Sequence, residues 1–255
     1  MSESHRPAFL LANAYGPGSE VPDRERLVLW TKFMRLAAMR VYPDRKPCSY
    51  RPWLEAFEEL GATSADRQNF CMTYEAIWRA DWPEFCPEWI DFALTFLECD
   101  VMLFRSGYAK RRFIHRLTRL ELSDTHLARC EPLLRRAVTD GAGTEEFIEY
   151  CAMAARLDPR GLADWLLTCL GDQVIALVDR DELTKTPGKL HVSINGRHLF
   201  GMTCPRPGLI DLATRANDPG ARVQRNASRM LWAILRRRAQ LGTLDLDALP
   251  FPFSP

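Results

Sequence analysis

The side chains that could do chemistry in this sequence lie in one short segment, residues 191–200, which reads HVSINGRHLF. Asn195-Gly196 predicts a two-residue type I′ turn, because both central residues of that turn take positive φ. The turn places Ser193 opposite His198 in a β-hairpin, and one face of the hairpin then carries His191, Ser193, His198 and Phe200. A serine beside a histidine suggests a hydrolytic pair, and two imidazoles suggest a zinc site.

The segment lacks the other parts of either kind of site. A hydrolytic serine needs an oxyanion hole, and no GxSxG pattern supplies one. Zinc needs a third and a fourth ligand, for which Cys204 is the only nearby candidate. We therefore predict no catalytic and no metal site here, and we expect His191, Ser193, His198 and Phe200 to contact another protein.

Arginines form two stripes on predicted helices. In the last helix five residues step by 3, 4, 3 and 4 and so share one face; they are Arg222, Arg225, Arg229, Trp232 and Arg236. A second stripe follows Gly107 and consists of Arg112, Arg116 and Arg119. Arginines on a helix can follow phosphates, and a tryptophan among them can stack on a base. These eight residues are the predicted contacts if the partner is a nucleic acid; pairing with acidic helices is the alternative.

Charge alternates along the chain although the whole carries only +1. The net charges of residues 1–51, 52–101, 102–138, 139–182 and 183–255 are +4, −9, +6, −7 and +7. Neighbouring layers of opposite sign would neutralise one another in the fold, and separate acidic and basic surfaces would serve binding. We favour mutual neutralisation, because it reduces self-repulsion.

Helical periodicity covers most of the 255 residues. Thr63 and Asp66 predict a capping box, a helix from Pro87 is expected to reach about Arg105, and Ser123 is expected to cap another helix. The predicted fold class is all-α: a helix-pair stack of the HEAT or armadillo kind, or an irregular helical bundle, with one inserted β-hairpin at about 183–207. The predicted organisation is a flexible leader over 1–22, one helical domain over 23–242 and a Pro/Phe-rich tail over 243–255.

Other chemistry finds little support. Glu88, Asp91 and Glu98 follow one helical stripe, but no partner helix offers matching ligands, so we predict a solvated face and no metal. The eight cysteines form no CxxC pair, which favours buried thiols in a reducing compartment. No stretch predicts a membrane span, so we expect a cytoplasmic protein without a cofactor.

The sequence therefore predicts a non-catalytic, protein-binding helical protein of the adaptor or inhibitor type. The alternative is a nucleic-acid-binding protein that uses the basic last helix. A third hypothesis is an enzyme. Because no GxGxxG, Walker or HExxH motif is present, its site would assemble from distant residues. We expect no membrane partner, and the oligomeric state stays open.

Overall fold

A computed structural model describes residues 24–41, 50–82, 87–141, 144–170, 176–178, 192–194, 197–199 and 219–244. Of the segments 176–178, 192–194 and 197–199 it describes the backbone alone. The chain divides into two compact units, residues 1–129 and 130–255, and the division falls inside a helix. The predicted single domain over 23–242 stays a prediction.

The first unit is helical throughout its described part. Its helices are α1 (Arg24–Ala38), α2 (Tyr50–Glu59), α3 (Ser64–Arg79), α4 (Pro87–Glu98), α5 (Ser106–Leu117) and the start of α6 (Asp124–Thr139). Helix α4 packs against both α1 and α5, α1 also packs against α2, and α3 against α5. Six consecutive residues of α4, from Phe92 to Leu97, are buried, so α4 is the central helix of this unit.

Aromatic rings fill the core of the first unit. Phe70 of α3 lies at the centre of this cluster, with its ring centroid 4.9 Å from that of Trp30 and 5.6 Å from those of Phe57 and Tyr74. On its other side Phe70 meets Phe96 of α4 at 6.2 Å. Each large ring removes apolar surface from water, and edge-to-face contacts add a smaller directional attraction. Helices α1, α2, α3 and α4 are thus joined through one side chain.

The second unit contains the rest of α6, then α7 (Thr144–Leu157), α8 (Leu162–Leu170) and a long last helix, α9 (Pro219–Leu241). Three short strands precede α9: β1 (Ala176–Val178), β2 (Val192–Ile194) and β3 (Arg197–Leu199). Helix α9 packs against α7 and α8 through a buried stripe that includes Ala227, Met230 and Ile234. The sequence periodicity predicts this apolar stripe, and the burial of these three residues confirms it.

The predicted fold class is confirmed for the helices and wrong for the inserted β-hairpin. Where side chains are described, at 24–41, 50–82, 87–141, 145–170 and 222–244, the chain forms helices and turns with no hairpin among them. The short strands outside those ranges form one antiparallel sheet in the order β1-β2-β3. Strand β2 pairs on both edges, which satisfies backbone groups that a lone hairpin would leave open. A self-contained hairpin insertion is therefore the wrong description of this region.

The predicted helix-pair repeat is not shown by the packing. In a stack of helix pairs each pair contacts the next pair along the chain. In the first unit α1 packs chiefly against α4, three helices later, and α3 packs against α5. These contacts are typical of an irregular bundle around one central helix.

Several predicted helix ends are confirmed. Thr63 and Asp66 form the capping box: the Asp66 amide donates to Thr63 Oγ1 at 3.1 Å, and the Thr63 amide donates to Asp66 Oδ2 at 2.8 Å. Helix α4 begins at Pro87 as expected. It ends at Glu98 instead of continuing to about Arg105, because Asp100 takes φ of +48° and breaks the helical path.

Within the described ranges, no helix is both long enough and apolar enough to cross a membrane. Cysteines 71, 99, 130, 151 and 169 have free thiols. Burial raises the pKa of the Cys71 and Cys169 thiols, which lowers their thiolate fraction and hence their reactivity.

Replacing Phe70 with alanine should destabilise the protein severely. Phe70→Ala removes a fully buried ring that four helices share, and we expect the free energy of unfolding to fall by about 3–5 kcal/mol. Denaturant unfolding followed by circular dichroism measures the change. The matched control, Val28→Ala at an exposed site of α1, should change it by less than about 1 kcal/mol. Equal losses for the two variants would contradict the central position of Phe70.

Candidate functional site

The turn between α4 and α5 has an unusual backbone. Asp100 and Arg105 take φ of +48° and +59°, in the left-handed region that costs a residue with a Cβ free energy. Neither position holds glycine, so other interactions must offset this cost. At Asp100 the left-handed residue closes α4 as a Schellman-type helix end, because the Val101 amide donates to the Phe96 carbonyl at 3.3 Å and the Asp100 amide to the Leu97 carbonyl at 3.0 Å.

A buried lysine fixes the first of these residues. The side chain of Lys110 in α5 is only 3% exposed, and its Nζ lies 2.5 Å from Asp100 Oδ1 and 3.1 Å from Met102 Sδ. A buried ammonium group is costly unless a carboxylate and further acceptors surround it. Asp100 is 37% exposed, so the pair keeps contact with water on one side. The Lys110–Asp100 pair therefore joins the residue that closes α4 to the middle of α5.

Three hydrogen bonds fix the rest of the turn. The Leu103 amide donates to Ser106 Oγ at 3.1 Å, and the Ser106 amide donates to the Leu103 carbonyl at 3.0 Å. The Tyr74 hydroxyl of α3 donates to the Phe104 carbonyl. Burial raises the pKa of Tyr74, which keeps this hydroxyl protonated as a donor. The backbone on both sides of Phe104 is thus attached to the core.

Two large rings are exposed here, one on the turn and one in the first turn of α5. Phe104 is 58% exposed and Tyr108 is 65% exposed. The guanidinium of Arg105 lies 4.9 Å from the Phe104 ring centroid, and its Nη1 lies 3.8 Å from Glu75 Oε1. An exposed aromatic pair on a rigid segment is unlike the scattered single apolar residues of an ordinary surface.

Basic residues follow these two rings along the sequence of α5. Residues 101–120 contain six Lys and Arg residues and no Asp or Glu. Arg112 is exposed, with its guanidinium 5.8 Å from the Trp78 ring centroid, and Arg119 is exposed just beyond the helix. Within the described residues neither of these two arginines pairs with a carboxylate. We call Phe104, Arg105, Tyr108, Arg112 and Arg119 the α5 surface.

The structure brings the predicted stripe of Arg112, Arg116 and Arg119 together with tryptophans of the α3 end. Arg116 is half-buried, its guanidinium lies 5.7 Å from the Trp82 ring centroid, and its Nη2 donates to the Trp78 carbonyl at 3.3 Å. Arg79 covers the Trp78 ring as well, at 5.3 Å. The three predicted arginines thus divide into two exposed cations and one that joins α5 to the end of α3.

The predicted arginines of α9 lie in the second unit. Two of them contact α7 or the end of α6. Arg229 lies 5.1 Å from the ring centroid of buried Phe147 in α7, and the Nε atoms of Arg229 and Arg236 are shielded from solvent. Arg222 is exposed and donates to the Thr139 carbonyl at 3.4 Å. Arg225 and Trp232 are half-buried. This placement favours a packing role for Arg229 and Arg236, and nucleic-acid binding by α9 stays a prediction.

The predicted hairpin contacts fall largely outside the described residues. The backbone pairing of β2 with β3 sets Ser193 opposite His198. Their side chains, and His191 and Phe200 altogether, lie outside what the structure describes. Their predicted contact with a protein therefore stays a prediction.

The carboxylates of α4 are held by an arginine of α6. Arg129 donates to both oxygens of Glu98, at 2.6 and 2.8 Å, to Asp91 Oδ1 at 2.6 Å and to Thr95 Oγ1 at 3.0 Å. The bonds to Glu98 raise the pKa of Arg129 and keep the guanidinium charged. The described residues contain no group of three His, Cys, Asp or Glu side chains that suits a metal ion. Two of the three carboxylates, Asp91 and Glu98, thus pair with Arg129, and Asp91 stays 50% exposed, while Glu88 pairs with Arg24 at 2.9 Å.

A serine, a histidine and an aspartate meet at the start of α6. Ser123 Oγ lies 2.9 Å from His126 Nδ1, and His126 Nε2 lies 3.6 Å from Asp91 Oδ1. The same Asp91 oxygen is closer to Arg129, and Ser123 Oγ also accepts from the His126 amide at 3.4 Å. Ser123 is the predicted N-cap, and capping accounts for the contact without a nucleophile. We assign these three residues a structural role.

Sequence reasoning missed Phe104 and Tyr108. The apolar periodicity predicts one helix through to about Arg105, which places Phe104 inside a helix instead of on a turn. Asp100 is the residue that signals the break, because aspartate tolerates the left-handed region better than most residues with a Cβ. A buried lysine ten residues later is visible only in the fold.

Comparison of the chain with protein-family models, with curated proteins and with solved structures gave no match.

Replacing Lys110 with methionine should loosen the turn. Lys110→Met keeps an apolar stem but removes the cation that holds Asp100, so the left-handed path loses its support. We expect amide hydrogen exchange at Leu103 and Ser106 to become faster by about tenfold. The control Arg112→Met removes an exposed cation of the same helix and should leave both amides protected. Unchanged exchange in Lys110→Met would show that the ion pair does not fix the turn.

Proposed function

We propose that this protein binds another protein through the α5 surface and acts as a non-catalytic adaptor or inhibitor. The observation that carries the proposal is the exposure of Phe104 and Tyr108, at 58% and 65%, on a backbone fixed by the Lys110–Asp100 pair. Leaving two large rings in water forgoes apolar burial, and a partner's apolar side chains would recover it.

The composition of the α5 surface supports a protein partner. Tyrosine, tryptophan and arginine dominate the few interface residues that contribute most of the binding energy. The α5 surface combines Phe104 and Tyr108 with arginines that flank them. Because the turn is already ordered, binding loses little conformational entropy there, which favours affinity.

Nucleic acid is the second candidate partner, because cations and tryptophan rings lie side by side at this surface. Arg112 lies over Trp78 and Arg116 over Trp82, and basic residues interleaved with aromatic rings are typical of single-strand binding surfaces. The near-neutral whole chain, at +1, argues for the protein partner first.

We place this binding in the cytoplasm. The five described cysteines are free thiols spread over both units, which agrees with a reducing compartment. The residues of the predicted hairpin, His191, Ser193, His198 and Phe200, are proposed as a further contact with the same class of partner.

Site-specific photo-crosslinking tests the proposal. We expect p-benzoylphenylalanine incorporated at Tyr108 to give a discrete heavier adduct in cells that produce the protein. Phe104→Ala should weaken the partner's affinity by about thirtyfold, since truncation of a central ring at an interface costs about 2 kcal/mol, and so should reduce the adduct correspondingly.

The same photo-reactive residue at Ile148, an exposed position of α7, is the matched control. It should give no discrete adduct. The proposal fails if positions 108 and 148 give the same products, or if Phe104→Ala leaves the Tyr108 adduct intact in a folded protein. An adduct with twice the mass of the chain would assign the surface to self-association and would also overturn the proposal.

A further inference from the structure

We infer that the partner offers an acidic segment, apolar at one end, to the α5 surface. This inference rests on the proposed function and names the chemistry of the partner. The apolar end meets Phe104 and Tyr108, and the carboxylates meet Arg112 and Arg119.

The charges of α5 point to an anionic partner. Residues 101–120 carry six cations and no acid. Lys110 pairs with Asp100 at 2.5 Å, and Arg105 lies 3.8 Å from Glu75. Arg112 and Arg119 are exposed and make no ion pair among the residues that the structure describes. A segment rich in Asp and Glu would supply the missing countercharge.

The spacing of the α5 surface suits an elongated segment. Tyr108 and Arg112 are one helical turn apart on the same face, and Arg119 follows seven residues later. At 1.5 Å per residue, the helix extends about 14 Å from Tyr108 to its end at Leu117, and Arg119 follows just beyond it. A partner segment that follows this line passes from exposed aromatic rings to exposed guanidinium groups.

The stacked arginines favour carboxylates over bases. Arg79 and Arg112 lie 5.3 and 5.8 Å from the Trp78 ring centroid, and Arg116 lies 5.7 Å from that of Trp82. A base that stacks on either indole must compete with these guanidinium groups. Stacking leaves the N–H edges of a guanidinium able to donate, and a carboxylate accepts two such bonds side by side. The arrangement therefore fits an acidic protein segment better than a nucleic acid.

The probe is a fluorescein-labelled peptide with leucine and phenylalanine at one end followed by a run of glutamates. Fluorescence anisotropy with the full chain should show saturable binding that weakens as salt is added. The same peptide with glutamine for glutamate, and labelled oligothymidylate, are measured beside it. We expect the glutamine peptide to bind at least about tenfold more weakly, because it lacks the charge-assisted bonds.

Charge reversal locates the binding. The double variant Arg112→Glu/Arg119→Glu should weaken binding of the glutamate peptide by about tenfold or more, since each exposed cation becomes a repulsive anion. The matched control, Arg156→Glu/Arg160→Glu, reverses two exposed arginines of the second unit and should leave the affinity within about twofold. Thermal unfolding of both variants checks that each is folded.

The outcomes separate the two proposals. Equal affinity for the glutamate and glutamine peptides, or equal effects of the two double variants, would overturn the acidic segment. Tighter binding of oligothymidylate than of the glutamate peptide would overturn it in favour of nucleic acid. If the Tyr108 photo-adduct persists with Arg112→Glu/Arg119→Glu, protein binding stands and the acidic segment fails; if no Tyr108 adduct forms, both fail.

Discussion

The ion pair between Lys110 and Asp100 is the interaction on which the candidate surface depends. An ammonium group that is 3% exposed needs a carboxylate close by, and the nearest position along the chain is the end of α4. Asp100 ends α4 in a left-handed conformation, with its amide donating to the Leu97 carbonyl at 3.0 Å, and its carboxylate pairs with Lys110. Phe104 on that turn and Tyr108 in the first turn of α5 are exposed instead of joining the aromatic core.

Some of the described arginines pair with carboxylates, and others lie on the surface. Arg129 is held by the carboxylates of α4, and Arg238 binds both oxygens of Asp158 at 2.6 and 2.7 Å. Each of these pairs joins a basic stretch of the sequence to the acidic stretch before it, as mutual neutralisation predicts. Arg112 and Arg119 belong to the same basic stretch as Arg129 but lie on the surface. Within the described residues, Arg112 and Arg119 make no ion pair with a carboxylate.

The helices were largely predictable from the sequence, and the candidate surface was not. Local signals determine helix ends: the capping box of Thr63 and Asp66 and the proline at 87 act within one turn, so the pattern contains them. Phe104 and Tyr108 depend on Lys110 reaching back ten residues to Asp100, which no periodicity encodes. The inserted hairpin was wrong because the pairing of β1 with β2 joins segments distant in the sequence. The stripe of Arg112, Arg116 and Arg119 was found from its spacing, but the rings beside two of these arginines come from the end of α3 and the residues just after it.

The most direct test of the account links the buried pair to binding. The measurement is the yield of the photo-adduct at Tyr108 in a Lys110→Met background, with folding checked by thermal unfolding. Lys110 is itself inaccessible to a partner, so it can influence the adduct only through the turn. The account predicts that the yield falls sharply while the protein stays folded. An unchanged yield would contradict the claim that the Lys110–Asp100 pair builds the binding surface.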